Sequence, residues 1–190
     1  MTRIIAGVAK GRQLKVPPVG TRPTSDRVRE SVFSSVEHVL GGWSDVVVLD
    51  LFSGSGAMGL EAVSRGASKA LLVDSSAKAC AVATSNIAKT GLPARAVHSK
   101  VETWLDTSPP DTFDLVFVDP PYDLPTDDVN SVIVQLVCGA WLADQAVVVV
   151  ERSERDDGVA WPRGFDDITR RRFGNTSVSR AIWYVADARS

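Results

Sequence analysis

Asp50-Leu51-Phe52-Ser53-Gly54-Ser55-Gly56-Ala57-Met58-Gly59 joins the apolar run Val46 to Leu51 to a helical pattern over Met58 to Arg65. A short apolar run bounded by turn residues reads as a buried strand. Gly54, Gly56 and Gly59 stand at the G-x-G-x-x-G spacing of a strand–turn–helix unit whose backbone can approach an adenosine cofactor closely. Asp74 ends the next strand-like run, Ala70 to Asp74, where an acid can bind ribose hydroxyls. By itself this unit suits NAD, FAD or S-adenosylmethionine (SAM). Asp50 shifts the balance toward SAM. A carboxylate at the strand tip repels a pyrophosphate, whereas it suits the ammonium group of a methionine moiety.

Downstream, strand and helix patterns alternate. Ala77 to Lys89 reads as a helix, Arg95 to His98 as a strand and Val101 to Leu105 as a short helix. Leu115 to Asp119 is a strand, Val129 to Cys138 a helix with one apolar side, and Ala146 to Glu151 a strand. This order predicts a parallel sheet with right-handed crossovers. The ending differs. Ile168 to Phe173 and Val178 to Val185 are joined by Gly174-Asn175-Thr176-Ser177, with no helix between them, and so predict an antiparallel edge hairpin. The expected class is α/β: a Rossmann-like sheet with an antiparallel C-terminal hairpin, the arrangement of class I SAM-dependent methyltransferases. A dehydrogenase sheet would add another parallel strand there.

Upstream, Arg3 to Ala6 and Gln13 to Val16 flank Gly7 to Gly11 and predict a small β-hairpin, which Pro17-Pro18-Val19-Gly20 separates from the rest. Residues 1–20 are therefore read as an appendage that contacts RNA or another substrate, and 21–190 as the main domain. The appendage is too small for a core of its own and must lie on the main domain or on a partner. Thr24 or Ser25 can cap the next helix, where Val28, Val32, Val36 and Leu40 make an apolar face that ends at Gly41-Gly42. Arg27 and Arg29 fall off that face and are expected to reach solvent or ligand.

Asp119-Pro120-Pro121-Tyr122 closes the fourth parallel strand. Ligands of open parallel sheets bind outside the carboxyl ends of the strands. Two prolines stiffen this corner and remove backbone donors. It can present a carboxylate, backbone carbonyls and a flat ring to a planar exocyclic amino group, and it has no role in hydride transfer.

The chain has 190 residues, 44% of them apolar, and a net charge of −2, which excludes a uniformly basic nucleic-acid coat. Arg3, Lys10, Arg12, Lys15, Arg22, Arg27 and Arg29 nevertheless face only Asp26 and Glu30 among the first thirty residues. That imbalance suits a local anion-binding face or an ordinary solvated surface. Arg170, Arg171 and Arg172 either extend it or line a solvated edge strand. Cys80 and Cys138 read as small core residues, and the five tryptophans as packing residues. No metal-ligand spacing occurs, so no metal is expected. No apolar run is long enough to span a membrane, and Met1 to Gly7 turns polar too quickly for a signal peptide, so a cytoplasmic location is the default.

Arg3-Ile4-Ile5-Ala6-Gly7, the Arg22 to Glu30 block, Leu49 to Gly56, Val118 to Tyr122, Gly139 to Leu142 and the Gly174 to Tyr184 hairpin together resemble the RsmD family of bacterial small-subunit rRNA guanine-N2 methyltransferases. The tetrapeptide alone matches the wider [D/N]-P-P-[Y/F] signature of amino-group methyltransferases, and the N-terminal Arg-Pro-Thr-Ser-Asp-Arg block makes the likeness specific. The resemblance implies methylation at N2 of guanine 966 of 16S rRNA, naked or within a partly or fully assembled small subunit; nothing in the sequence demands more than a monomer. It implies catalysis by Asp119, Pro120, Pro121 and Tyr122 on a flipped base. It implies a SAM site of Asp50, Phe52, Ser53, Gly54, Gly56 and Asp74, with Thr24 closing it near the methionine carboxylate. Relatives place Asp or Asn where this chain has Ser99-Lys100-Val101. Lys100 has no acceptor for the adenine amine, so the backbone of Val101 is the expected contact. RNA phosphates would meet Arg3, Lys10, Arg12, Arg22, Arg27 and Arg29. The same tetrapeptide also serves DNA or other RNA amino-methyltransferases, and a SAM-binding ribosome-assembly factor is a third reading.

Overall fold

In a computed structural model, residues 2–17, 26–156 and 158–185 are described. A two-stranded antiparallel hairpin comes first, β1 (Thr2–Arg3) with β2 (Gln13–Leu14). Helix α1 (Asp26–Leu40) leads to β3 (Val47–Leu51), α2 (Ala57–Arg65), β4 (Lys69–Asp74), α3 (Ala77–Thr90) and β5 (Ala94–His98). Then come α4 (Val101–Leu105), β6 (Phe113–Val118), α5 (Thr126–Cys138), β7 (Leu142–Ser153), β8 (Phe165–Phe173) and β9 (Thr176–Trp183). The main sheet has the order β5-β4-β3-β6-β7-β9-β8, parallel through β7, with β9 and β8 antiparallel at one edge. The α/β class, the parallel sheet and the antiparallel C-terminal hairpin are those expected from the sequence.

Strand alternation divides the core. Val48, Leu72, Phe117 and Val149 face one layer, with Phe33 of α1, Leu60 of α2 and Ala83 of α3. Leu49, Leu51, Val116 and Val148 face the other, with Leu105 of α4 and Leu136 of α5. Trp141 is fully buried there, meets the Trp104 ring at 4.4 Å and a tilt of 46°, and donates from Nε1 to the Leu105 carbonyl. Cys80 is buried, but Cys138 is exposed on the outer side of α5, contrary to its expected place in the core. Strand β7 begins earlier and ends later than its apolar run, because Leu142 pairs with Phe113 and its far end pairs with β9 out to Thr176.

The N-terminal hairpin lies on the main domain. Ile4, Ala9 and Leu14 enter the first core layer. The Ile5 and Ala6 amides donate to the buried Glu61 carboxylate at 2.6 and 3.0 Å, and Arg65 pairs with the same group at 2.8 Å. This use of Ile5 and Ala6 stops β1 at Arg3, short of the predicted Ala6. A Cβ on Gly7 would fall 1.7 Å from the Ser64 carbonyl oxygen, so only glycine permits this approach. Asn86 of α3 accepts from the Lys15 amide and donates to the Lys15 and Ser55 carbonyls, tying the hairpin to the turn after β3.

Candidate active site

Parallel register brings acids from four neighbouring strands to one sheet edge. Asp50 pairs with Leu72 on one side and Phe117 on the other, while Val118 pairs with Val150. Asp74, Asp119 and Glu151 therefore lie just beyond these rungs, on the same face as Asp50. All four line one cleft of about 600 Å³, in the range of small-molecule sites. Its walls also include Phe52, Ser53, Gly54, Met58, Ser76, Pro120, Pro121 and Tyr122, and the hairpin contributes Thr2, Val16 and Pro17.

The glycine turn is held by its own backbone. The Ser53 amide donates to Val73, and the Gly56 amide to the Ser53 carbonyl at 2.7 Å. Asp74 accepts from the Gly54 and Ser76 amides, both at 2.8 Å, leaving lone pairs for ribose hydroxyls. Asp50 accepts from the Gly59 amide at 2.9 Å. Gly59 and Gly56 serve packing: a Cβ at either would meet Leu72 at 2.3 or 2.6 Å. Gly56 also sits at φ 75 as the N-cap of α2 and does not line the cleft, unlike Gly54.

Burial raises the Asp50 carboxyl to about 7, against the pull of the Gly59 amide, and the charge of Asp74 adds to it. Asp119 is held well above the usual carboxylate range by burial first, then by Glu151 and Asp50. No cation forms an ion pair with Asp50 or Asp119 among the described residues. Asp50, buried and without a cation, suits the ammonium group of SAM, and the cleft that it lines fits that cofactor.

At the corner after β6, the Pro121 carbonyl accepts from the Leu124 amide at 3.0 Å and from Arg152 at 3.3 Å. Arg152, buried at the end of β7, also donates to the Leu124 carbonyl at 2.7 Å and pairs with Asp156 at 2.8 Å. The half-exposed Tyr122 shares a hydrogen bond of 2.9 Å with Thr176. Among the described residues no hydrogen bond reaches the Pro120 carbonyl, which is left to accept from a ligand.

Of the expected cofactor residues, Asp50, Phe52, Ser53, Gly54 and Asp74 meet in the cleft with all four corner residues. Val101 is buried at the start of α4 in the second core layer, away from the cleft wall. Thr24 and Arg22 lie outside the described residues. The basic set is divided. Lys10 and Arg27 are exposed, Arg3 pairs with Asp26, and Arg12 caps α3 by donating to the Lys89 and Thr90 carbonyls. Arg29 corrects the expectation of a solvent-facing residue: it is buried, donates to the Arg3 carbonyl and Asp26, and lines the cleft. Its hydrogen bond holds the Asp26 carboxyl below the usual range. Glu151, Arg152 and Thr176 were missed because their neighbours in the chain carry no motif, and only strand register brings them to the corner.

The protein family described as "Conserved hypothetical protein 95" matches residues 2–182. Ribosomal RNA small subunit methyltransferase D of Escherichia coli K12 is 40% identical over 162 residues, covering 83% of this chain and 77% of that protein. Among solved structures, a putative methyltransferase, yhhF, from Escherichia coli superposes with a TM-score of 0.82 at 34% identity, over 97% of this chain and 98% of that one. A hypothetical protein from Thermus thermophilus gives a TM-score of 0.80 at 29% identity, over 97% and 100%.

Proposed function

We propose, for a chain that belongs to the RsmD family of small-subunit rRNA methyltransferases, that it methylates 16S rRNA with SAM at the N2 amino group of a guanine, guanine 966 in conventional rRNA numbering. The observation that carries this reading is the shared cleft. The Asp50–glycine turn and the Asp119-Pro120-Pro121-Tyr122 corner open onto it from adjacent strands.

SAM supplies an electrophilic methyl group. An aromatic amine is a poor nucleophile because its lone pair is delocalised into the ring. The Asp119 carboxylate and the Pro120 carbonyl accept its two N–H bonds and draw the nitrogen toward tetrahedral geometry. Tyr122, anchored through Thr176, stacks on the base and fixes its plane, worth about 1–3 kcal/mol. The nitrogen would gain the methyl as the methyl–sulfur bond breaks and its electron pair stays on sulfur, and would lose a proton, to Asp119 or to solvent. Burial makes the Asp119 carboxylate a stronger base than an ordinary one. The base must leave its stack to enter, which favours an exposed loop nucleotide. Among the described residues of the basic set, the exposed Lys10, Arg27 and Arg3 are the candidates to meet phosphates.

The test is transfer from tritiated SAM to naked 16S rRNA, small subunits lacking the modification, and DNA. Label in rRNA or subunits, recovered as N2-methylguanine after digestion, is expected. Label confined to DNA, or to another base, overturns the reading. Comparison of the two RNA arms identifies the assembly state used as substrate, and sedimentation tests the expected monomer.

A further inference from the structure

An Asp-Pro-Pro-Tyr corner holds a planar amine by its two N–H bonds, which adenine, cytosine and guanine all offer. Discrimination needs a group that touches the neighbouring ring position. Next to the amine, guanine has a protonated N1, whereas adenine N1 and cytosine N3 are bare acceptors. An acid beside Asp119 would accept the guanine proton and repel the other two lone pairs.

Glu151 occupies that position. Val118 and Val150 are partners in parallel register, so Asp119 and Glu151 leave adjacent strands side by side, about 4.8 Å apart along the sheet. Both line the cleft with Pro120 and Tyr122. Arg152, the next residue, turns to the opposite side and clamps the Pro121 and Leu124 carbonyls, so the backbone that carries Glu151 is fixed to the corner it faces. We propose that Glu151 is a specificity-determining residue that accepts the N1–H of the target guanine while Asp119 and Pro120 hold its N2 amine. This rests on the guanine-N2 reading above. Glu151 is also the nearest charge that raises the Asp119 carboxyl, after burial.

The experiment uses two RNAs that differ at the target nucleotide: guanine, or 2-aminopurine, which keeps the 2-amino group but has a bare N1. Methyl transfer is measured for the natural protein and for Glu151→Gln and Glu151→Asp. SAM affinity is measured alongside and is expected to stay within about threefold. The natural protein is expected to prefer guanine by at least about 100-fold in kcat/KM. Glu151→Gln, whose amide can donate to a bare N1, narrows that preference at least about tenfold. Glu151→Asp keeps it, with a lower kcat. A natural protein that uses both RNAs equally overturns the inference, and so does a preference that Glu151→Gln leaves unchanged while guanine is methylated. Absence of methylation on guanine RNA, with label at another base, instead removes the guanine reading and the inference with it.

Discussion

The glycine turn after β3 and the proline corner after β6 leave the same sheet edge on adjacent strands, yet they are held by different means. The turn is closed by local backbone amides and by two acids within its own strand–helix units. The corner has lost two backbone donors to Pro120 and Pro121 and is fixed from outside. Arg152 of β7 grips two carbonyls, and Thr176 of β9 holds Tyr122. A pocket for a common cofactor can thus be built from one contiguous segment, whereas the surface that positions a substrate atom draws on strands distant in sequence. Damage to the corner should therefore leave cofactor binding intact.

The largest separation is expected at Asp119. Asp119→Ala should lower methyl transfer by about 10²–10⁴-fold while SAM affinity, read by calorimetry, stays within about threefold. Turnover near the natural rate would remove Asp119 from the chemistry. A smaller effect is expected behind the corner. Arg152→Leu should lower kcat by about 10–100-fold through loss of alignment, with the SAM dissociation constant unchanged and part of kcat restored in Arg152→Lys. Weakened SAM binding in Arg152→Leu would break the distinction between the two walls.

The mildest change concerns the turn. The Asp50 carboxyl is raised in the fold to about 7 from an unfolded value of 3.8. An acid of that kind binds its proton more tightly when folded, so its contribution to stability is greatest below the unfolded value. It declines as pH rises toward 7 and is level above. Asp50→Asn removes the penalty. Its melting temperature should exceed that of the natural protein by about 2–6 °C at pH 8, with the gap closing near pH 4, while SAM binds less tightly. An equal gap at both pH values would show that Asp50 does not titrate in the fold.

Much of the architecture was legible because its signals are local. Apolar runs, glycine stops and the alternation of strand and helix placed nearly every element, and the missing helix before Val178 revealed the antiparallel edge. Boundaries moved where partners decided them. Strand β7 is lengthened by Phe113 and Thr176, and β1 is shortened because Glu61 takes the next two amides. The candidate site was legible where a motif is contiguous. Arg29 was misjudged because helical periodicity defines a face against the sheet but not a second burial by the N-terminal hairpin, which covers its guanidinium.

The glycine fingerprint, Asp50 and the Asp-Pro-Pro-Tyr corner needed only the sequence, since each is a short stretch whose chemistry depends on its own spacing. Their meeting in one cleft was decided by parallel register. That register also placed Glu151 beside Asp119 and brought Arg152 behind Pro121, while the buried carboxylate of Glu61 on α2 seated the N-terminal hairpin. Contacts of that kind join residues whose separation along the chain carries no signal, because strand pairing and burial, rather than local propensity, bring them within reach.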